Sequence, residues 1–325
     1  MERLISFLGL VLFTGVAILL SKNRKAIKVR TILTGVALQF VIAFLILKSP
    51  LAGHFFAWTG SVCAKLLAFS SKGAGFVFGP IANIDLLGRT FGAENAFVFA
   101  VSVTSTIIFI AALVAFLYHI RLMPIIISLL GKIMQKAMAI TGAESAVSAA
   151  NIFYGQTEAP FVIRPYLHKL THSELFTMMT AGFGTMAVSV FIVYIKFGIH
   201  PVHLLAATFM GAPAAVVMAK ILMPETEKRA NKNDNVKLGN EYQGSNFMDS
   251  ICQGAGDGMK LSINIMAMLI AVIALIALFN YALLSLGSLV HVEGLSLERI
   301  MGYICAPVAW LMGVPGKDIL SVGQL

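Results

Sequence analysis

One stretch decides how the rest of this sequence is interpreted, namely TGAESAVSAANIFYGQTEAPFVIRPYLHKLTH at residues 141–172. Its first part, residues 143–153, is compatible with a helix and reaches about 16 Å, roughly half of a 30 Å hydrocarbon core. A polar tip follows, Pro160 then interrupts the pattern, and an apolar run leads to the basic residues within 164–169. The stretch therefore predicts a re-entrant helical hairpin over residues 143–165, which enters and leaves a membrane on one side.

The tip of this hairpin, Gln156, Thr157 and Glu158, carries the candidate chemistry. Unpaired backbone groups at such a tip are tolerated only where protein or a water-filled cavity surrounds them. A carboxylate at that depth is costly unless it is paired or used, so we interpret Glu158 as functional. The three side chains can bind a polar heterocycle or a sugar, and oxygens near Asn151 and Tyr154 suit a sodium ion. An ordinary polar turn between two short surface helices is the alternative.

The composition of the whole chain excludes a water-soluble globule. Of 325 residues, 58% are hydrophobic and 12% are charged, and the mean hydropathy is +0.87, whereas soluble domains carry about 25% charged residues. The three cysteines have no metal-ligand spacing, and no second intramembrane carboxylate or His/Asp set favours an enzyme. The net charge of +9 indicates loops biased toward the cytoplasm, not nucleic-acid binding. We predict an all-α polytopic membrane protein with no cofactor.

Apolar runs that are long enough to cross a lipid bilayer define the predicted spans. We predict six transmembrane helices, at residues 4–20, 31–47, 96–117, 175–195, 202–222 and 261–289. If the N-terminus lies outside, the first internal loop carries Lys22, Arg24, Lys25, Lys28 and Arg30. Most of the other Lys and Arg residues then also lie inside, as the positive-inside rule requires. The expected location is a bacterial cytoplasmic (inner) membrane.

The segments between these spans divide the chain. Residues 51–68 are apolar but contain His54 and Lys65, and residues 123–138 are similar, so we predict interfacial helices there. The polar stretch 223–258 predicts a cytoplasmic loop between two membrane units. The expected organisation is N-terminal helices, then a third span with the hairpin and two more spans, then the loop, then a sixth span: residues 1–95, 96–222, 223–260 and 261–325.

Three parts of the sequence resemble the concentrative nucleoside transporter family. AANIFYGQTEAP at residues 149–160 resembles the first re-entrant hairpin of these proteins. KVRTILTGVALQF at residues 28–40 resembles their second span, and NFMDSICQGAGDGMKL at residues 246–261 is similar to a further family segment. The resemblance extends along essentially the whole chain. It implies a bacterial nucleoside permease of the sodium-coupled type, a symporter rather than an enzyme, which forms a homotrimer and works by an elevator movement.

The resemblance also implies roles for individual residues. Contacts to the nucleobase are implied for Gln156, Thr157, Glu158 and Val190. Coordination of sodium, the coupling ion, is implied for Asn151, Tyr154, Thr185, Met186 and Ser189. Tyr154 and Met186 would act through their backbone carbonyls, and Val190 would lie on an unwound fourth helix. For Thr185 and Ser189 another interpretation stays open, because a hydroxyl in a helix often bonds the carbonyl four residues earlier.

The C-terminal end departs from the family pattern. The terminal GVPGKDILSVGQL, residues 313–325, resembles the approach to the family's second hairpin, whose glutamate and the ribose-binding helices would follow Leu325. The expected fold is therefore an incomplete inverted-repeat transporter. Sodium coupling is favoured because Asn151 and the Thr185 hydroxyl are both present. A proton-coupled nucleoside symporter and a transport-inactive truncated membrane scaffold remain as alternatives.

Overall fold

The computed structural model describes residues 2–48, 50–92, 95–156, 159–186, 188–227, 245–289 and 294–324. Within these ranges the regular structure is helical and contains no strand, so the predicted all-α class is confirmed there. The α-helices are α1 (Glu2–Leu19), α2 (Val29–Lys48), α3 (Pro50–Phe78), α4 (Ile84–Phe91), α5 (Phe99–His119), α6 (Leu122–Met138), α7 (Gly142–Ala150), α8 (His172–Gly184), α9 (Val188–Lys196), α10 (Pro201–Leu222), α11 (Phe247–Leu289), α12 (Leu297–Leu311) and α13 (Ile319–Gln324). Short 3₁₀ helices cover Arg24–Ala26, Gly79–Ala82 and Ala159–Lys169.

The chain divides into two units, and each is considered separately. The first contains Met1–Leu20 and Asn264–Leu325, and the second contains Ser21–Ile263. The second unit includes the predicted hairpin and the helices that pack around it. It therefore contains all the residues for which the sequence implies a role in binding.

Glycines allow the helices of the first unit to approach closely. A β-carbon on Gly9 of α1 would collide with the carbonyl oxygen of Leu311 in α12. Helices α12 and α13 meet at Gly302 and Gly323, where a β-carbon on Gly323 would lie 2.6 Å from the Gly302 oxygen. Small residues at helix crossings are typical of proteins that pack their helices in a membrane.

Helix α10 lies at the centre of the second unit, where it contacts α2, α3, α7 and α8. A β-carbon on Gly35 of α2 would collide with Val217 of α10, so these two helices are in close contact. The beginning of α11 packs on α5 through Gly254 and Gly258, and a β-carbon at either position would come within 3 Å of α5. This four-residue spacing is the small-xxx-small pattern of membrane helices.

Five helical segments in the described part of the chain are long and apolar enough to cross a membrane. They are Val29–Ile46, Ser61–Phe91, Phe99–His119, Pro201–Leu222 and Phe247–Ser285. The predicted helices at 31–47, 96–117, 202–222 and 261–289 are thus confirmed, and the predicted first span coincides with the shorter apolar helix α1. Residues 123–138 form α6, and the position of α6 at an interface stays a prediction.

The continuous apolar span that hydropathy predicts at 175–195 is interrupted, in agreement with the unwound fourth helix that the family resemblance implies. Helix α8 ends at Gly184 and α9 begins at Val188, and Thr185 has extended backbone angles, with φ −126° and ψ 161°. Gly182 and Gly184 weaken the helix just before this break, because glycine costs about 1 kcal/mol relative to alanine in a helix. The apolar residues on both sides keep the hydropathy high, so hydropathy alone does not detect the break.

The interfacial helix predicted at 51–68 is part of a longer helix. Helix α3 continues for 29 residues, through the glycine-rich stretch that follows the predicted segment. The range Ser61–Phe91 has the length and mean hydropathy of a span. His54 and Lys65 interrupt the apolar run without ending the helix, because neither residue breaks the backbone hydrogen-bond pattern.

The cytoplasmic loop predicted at 223–258 is shorter than expected, because α11 begins at Phe247. The Asn246 side chain accepts the backbone N–H of Asp249 at 2.9 Å, which satisfies one of the free donors in the first turn. Because the segment is polar throughout, its composition does not reveal that Asn246 caps the N-terminus of α11. The helix consequently includes the sequence that precedes the predicted sixth span.

Candidate functional site

The predicted hairpin begins with a capped and completely buried helix. The Thr141 hydroxyl accepts the N–H of Glu144 at 3.1 Å, and the Glu144 carboxylate accepts the N–H of Thr141 at 3.0 Å. This reciprocal pair is a capping box, which starts α7 at a defined residue. Every position of α7 from 142 to 150 is buried, although the helix contains serine and glutamate.

The chain turns back after α7. Residues 151–156 form the turn, and the N–H of Ala159 donates to the Gly155 carbonyl at 3.0 Å. The 3₁₀ helix Ala159–Lys169 follows and packs against α7. The helical hairpin predicted for residues 143–165 is therefore present in the described residues, whereas its re-entry into a membrane stays a prediction.

Small residues let four elements pack around α7, namely α6, α8, α10 and the segment Ala159–Lys169. The closest neighbour on α6 is Gly131, where a β-carbon would lie 3.5 Å from the Ser145 carbonyl oxygen. Gly, Ala and Ser make up most of α7, so the neighbouring backbones can come near its axis. Protein thus surrounds this short helix.

A buried ion pair holds the first turn of α7 in place. The Glu144 carboxylate pairs with the Lys220 ammonium group of α10, and these side chains are 0% and 12% exposed. Glu144 also accepts the Thr177 hydroxyl of α8 at 3.3 Å, and Lys220 donates to the Ser173 hydroxyl at 2.8 Å. Buried charges are stable only when they are paired and hydrogen-bonded. These contacts therefore connect α7, α8 and α10.

The break between α8 and α9 leaves backbone groups without a helical partner. Beside the break, Gly211 of α10 is essential for close packing, since a β-carbon there would lie 3.1 Å from the Gly184 carbonyl oxygen. The Thr185 hydroxyl donates to the Ala181 carbonyl at 2.7 Å, which is the ordinary bond to the residue four positions earlier. Thr185 nonetheless lies at an unwound position, where non-helical backbone is tolerated only inside protein or a cavity.

The hairpin turn and this break are in contact. The Thr185 hydroxyl lies 3.4 Å from the backbone oxygen of Asn151, the last helical position of α7. A β-carbon on Gly182 would lie 2.9 Å from Cβ of Gln156. The structure therefore brings the turn residues Asn151 and Gln156 close to the region of Thr185, which follows each of them by more than 28 residues.

Asn151 has the most unusual environment of the predicted sodium ligands. The residue is 1% exposed, and within the part of the chain that the structure describes neither its Oδ1 nor its Nδ2 has a hydrogen-bond partner. A buried polar group without a partner costs about 1–3 kcal/mol. The amide oxygen, the adjacent backbone carbonyl and the Thr185 hydroxyl are hard oxygen donors. Together they fit a sodium ion better than they fit a closed apolar core.

The other predicted sodium ligands lie in the same region. Tyr154 is buried, with its ring edge-on to Tyr118 and 6.1 Å between the ring centroids. The Met186 side chain packs against the apolar cluster around Phe191, so its backbone carbonyl is the group that a cation can use. Ser189 is in α9, and its side chain lies outside the described residues.

The predicted nucleobase contacts are described only in part. Gln156 is exposed at the turn and lies against Gly182, and Val190 is half-buried in α9. Thr157 and Glu158 lie outside the described residues. Of the four predicted contacts, the structure therefore describes two: the Gln156 amide at the turn and the apolar Val190 side chain in α9.

Three family descriptions match successive parts of the chain. "Na+ dependent nucleoside transporter N-terminus" matches residues 8–81, "Nucleoside recognition" matches residues 100–201, and "Na+ dependent nucleoside transporter C-terminus" matches residues 203–325. The middle match contains α7, the turn, α8 and α9. The contact between hairpin and break thus lies within the part that resembles the nucleoside-recognition region.

Individual proteins match over the whole chain. The "Uncharacterized transporter YutK" of Bacillus subtilis is 37% identical over 324 residues, which are 100% of this chain and 78% of that protein. The human "Sodium/nucleoside cotransporter 1" is 36% identical over 100% of this chain, which spans 48% of the human protein. The solved structure of CNTnw in an inward-facing substrate-bound state has a TM-score of 0.93 and 35% identity, and it covers 100% of this chain and 75% of CNTnw.

Proposed function

This chain belongs to the family of concentrative, Na⁺-dependent nucleoside transporters, and from that premise we propose that it is a symporter that carries a nucleoside across the bilayer together with a sodium ion. Proteins of this family are transporters and not enzymes. Its relatives support nucleoside cotransport as the general activity. The choice of sodium and the location of both ligands are our assignments.

The observation that carries the proposal is the buried amide of Asn151, which lies beside the break at Thr185 and has no hydrogen-bond partner among the described residues. We assign the sodium ion to Asn151, Tyr154, Thr185, Met186 and Ser189. A bound sodium ion would be coordinated by their oxygens, which carry partial negative charge. The Asn151 side chain and the Thr185 hydroxyl orient these oxygens from the two sides of the contact between hairpin and break.

Recognition of the nucleobase is assigned to Gln156, Thr157, Glu158 and Val190. The Gln156 amide can donate and accept, a threonine hydroxyl can do both, and the Glu158 carboxylate accepts two hydrogen bonds. These are the functions that the edge of a nucleobase requires, and Val190 offers an apolar surface to its face. Because the turn contacts the break, nucleoside and sodium would share one ordered region.

The remaining features of the proposal concern the membrane. We assign the hairpin a re-entrant path in the cytoplasmic membrane of a bacterium, with the N-terminus outside. The protein would be a homotrimer. Transport would follow an elevator movement, in which the body that includes α7 and α8 slides against the other helices. A ligand biases such a movement only if its affinity differs between the two end states.

The test is uptake of radiolabelled uridine into vesicles that contain the chain, with and without an inward sodium gradient. We expect uptake that requires sodium and that continues when a protonophore is added. Asn151→Ala is expected to raise the sodium concentration for half-maximal uptake by roughly 10- to 100-fold, as for the loss of other ligand interactions around metals. The matched control is Asn95→Ala, because Asn95 is exposed and its amide donates to the Phe91 carbonyl at the end of α4, outside the hairpin and the break.

Three results would contradict parts of the proposal. Uptake that is indifferent to sodium but is abolished by the protonophore would identify protons as the coupling ion. No uptake by well-assembled protein, in sodium or without it, would mean that this chain does not carry out transport. An equal response of Asn151→Ala and Asn95→Ala would remove the sodium assignment from the hairpin.

A further inference from the structure

Ser148 in α7 has a hydroxyl group with an exceptional environment. The residue is completely buried, and its Oγ has no hydrogen-bond partner in the described part of the chain. Hydroxyls at other buried helical positions donate to a carbonyl three or four residues earlier: Thr106, Ser145, Thr177, Thr208 and Ser262. Since that bond is the usual way to satisfy a serine in a helix, its absence at Ser148 indicates that the hydroxyl has another partner.

The contacts of α7 show where this hydroxyl lies. The N–H of Asn151 donates to the Val147 carbonyl at 2.9 Å, so the helix continues through Asn151. At 3.6 residues per turn, Glu144, Ser148 and Asn151 fall within about 60° of one another on a single face. Glu144 contacts Thr177 of α8, and the Asn151 carbonyl contacts Thr185 after the end of α8. Ser148 therefore lies between these two contacts, on the face of α7 that packs against α8.

No group on α8 bonds the Ser148 hydroxyl, although α8 lies entirely within the described residues. Ala181, buried one turn after Thr177 and one turn before Thr185, has no polar side-chain group. The next unpartnered polar group along α7 is the Asn151 amide, roughly 4.5 Å further along the helix axis. Two adjacent buried groups, a hydroxyl and an amide, thus share one interface and lack partners.

We propose that the Ser148 hydroxyl is a further ligand of the sodium site, acting on the same ion as the Asn151 amide oxygen. This inference rests on the proposed function, because it extends the assigned site by one residue toward the Glu144–Lys220 pair. A hydroxyl is a hard oxygen donor without charge, of the type that suits an alkali-metal ion. The ion would coordinate the Ser148 hydroxyl oxygen and the Asn151 Oδ1, the two buried oxygens without a partner in the described residues.

The experiment measures sodium binding without transport. The purified full chain is heated in sodium chloride at increasing concentration, with choline chloride keeping the ionic strength constant, and the unfolding temperature is recorded. Binding to the folded state stabilises it by RT ln(1 + [Na⁺]/Kd), so the rise of that temperature with sodium gives the sodium dissociation constant, called here the sodium midpoint. We expect Ser148→Ala to raise the sodium midpoint by roughly 10-fold. The matched control is Ser145→Ala, because Ser145 is buried in the same helix but bonds the Gly142 carbonyl; it should leave the sodium midpoint unchanged.

A second variant keeps the test decisive if Ser148→Ala does not fold. Ser148→Cys keeps the shape of the side chain, with a somewhat larger sulfur in place of a hard oxygen, so it should also raise the sodium midpoint. Equal midpoints for the parent, Ser145→Ala and whichever Ser148 variant folds would overturn this inference and leave the proposed function intact. A parent protein with no sodium-dependent stabilisation would overturn both.

Discussion

Helices α2 and α7 lie in the same unit but have opposite distributions of polarity and burial. In α2 the window Val29–Ile46 has a mean hydropathy of 2.0 and is only 11% buried, and Leu33, Phe40 and Phe44 are exposed. Helix α7 is buried at every position and contains Glu144 and two serines. Apolar residues outside and polar residues inside are expected where the surrounding medium is lipid. Hydropathy therefore identifies the long apolar helices, whereas the binding site that we propose lies in helices that it overlooks.

The largest effect is expected from the buried ion pair of α7. Glu144→Ala removes one partner and leaves the Lys220 ammonium group buried without compensation, so it should lower the free energy of unfolding by about 3–5 kcal/mol. Chemical unfolding in detergent measures the loss. Glu144→Ala combined with Lys220→Met should recover part of the stability. If the double variant were no more stable than Glu144→Ala, the loss of stability would not come from the unpaired Lys220 ammonium group, and the charged interior around α7 would not depend on this ion pair.

The next effect concerns the tip of the hairpin. Glu158→Gln removes the carboxylate that is assigned to the nucleobase, and the loss of a charged hydrogen bond should cost about 1.5–3 kcal/mol, or roughly 10- to 150-fold in uridine affinity. Isothermal titration calorimetry in sodium chloride measures the affinity. Glu227→Gln is the control, because that carboxylate is exposed outside the hairpin. An unchanged affinity for Glu158→Gln would exclude the tip from nucleobase recognition.

A smaller effect is expected where the break between α8 and α9 packs against α10. Gly211→Ala would place a β-carbon 3.1 Å from the Gly184 carbonyl oxygen, and the resulting displacement should destabilise the protein by about 1 kcal/mol. Gly256→Ala in α11 meets nothing within 4 Å and should instead stabilise by about 0.5–1 kcal/mol, because alanine favours a helix. Thermal unfolding distinguishes them. The same sign for both variants would show that the break tolerates movement.

The smallest effect is expected on the exposed face of α2. Leu33 is 64% exposed, so Leu33→Ala should change the free energy of unfolding by less than about 0.5 kcal/mol. Chemical unfolding under the conditions used for Glu144→Ala measures it. A loss of several kcal/mol would show that another protein surface, and not lipid, covers this face of α2.

The sequence predicted the helices that hydropathy can detect and the helical hairpin to which we assign binding, but not their three-dimensional connections. Residues 31–47 and 202–222 are helical because uniform apolar runs have no other stable structure in lipid. The hairpin was predicted because a helix half the length of a span is followed by a polar tip and a proline. A local capping pattern at Thr141 and Glu144 was present in the sequence, and it could have located the start of α7.

The parts that sequence analysis missed depend on residues far apart in the chain. Lys220 follows Glu144 by a long interval and has no local pattern that marks it as a partner. The break at Thr185 arises from glycines within an apolar run, which a hydropathy window averages away. The isolation of the Ser148 hydroxyl depends on Ala181 in another helix. Each of these features is decided by packing, and pairwise contacts are not encoded in composition or periodicity.

The central claim is that sodium and nucleoside bind in one region, where the hairpin turn contacts the break between α8 and α9. The most direct test is calorimetric titration of the purified chain with uridine, in sodium chloride and in choline chloride. We predict tight binding in sodium chloride, binding at least 10-fold weaker in choline chloride, and loss of this difference in Asn151→Ala. Equal uridine affinity in the two salts, or a sodium dependence that survives Asn151→Ala, would contradict the account.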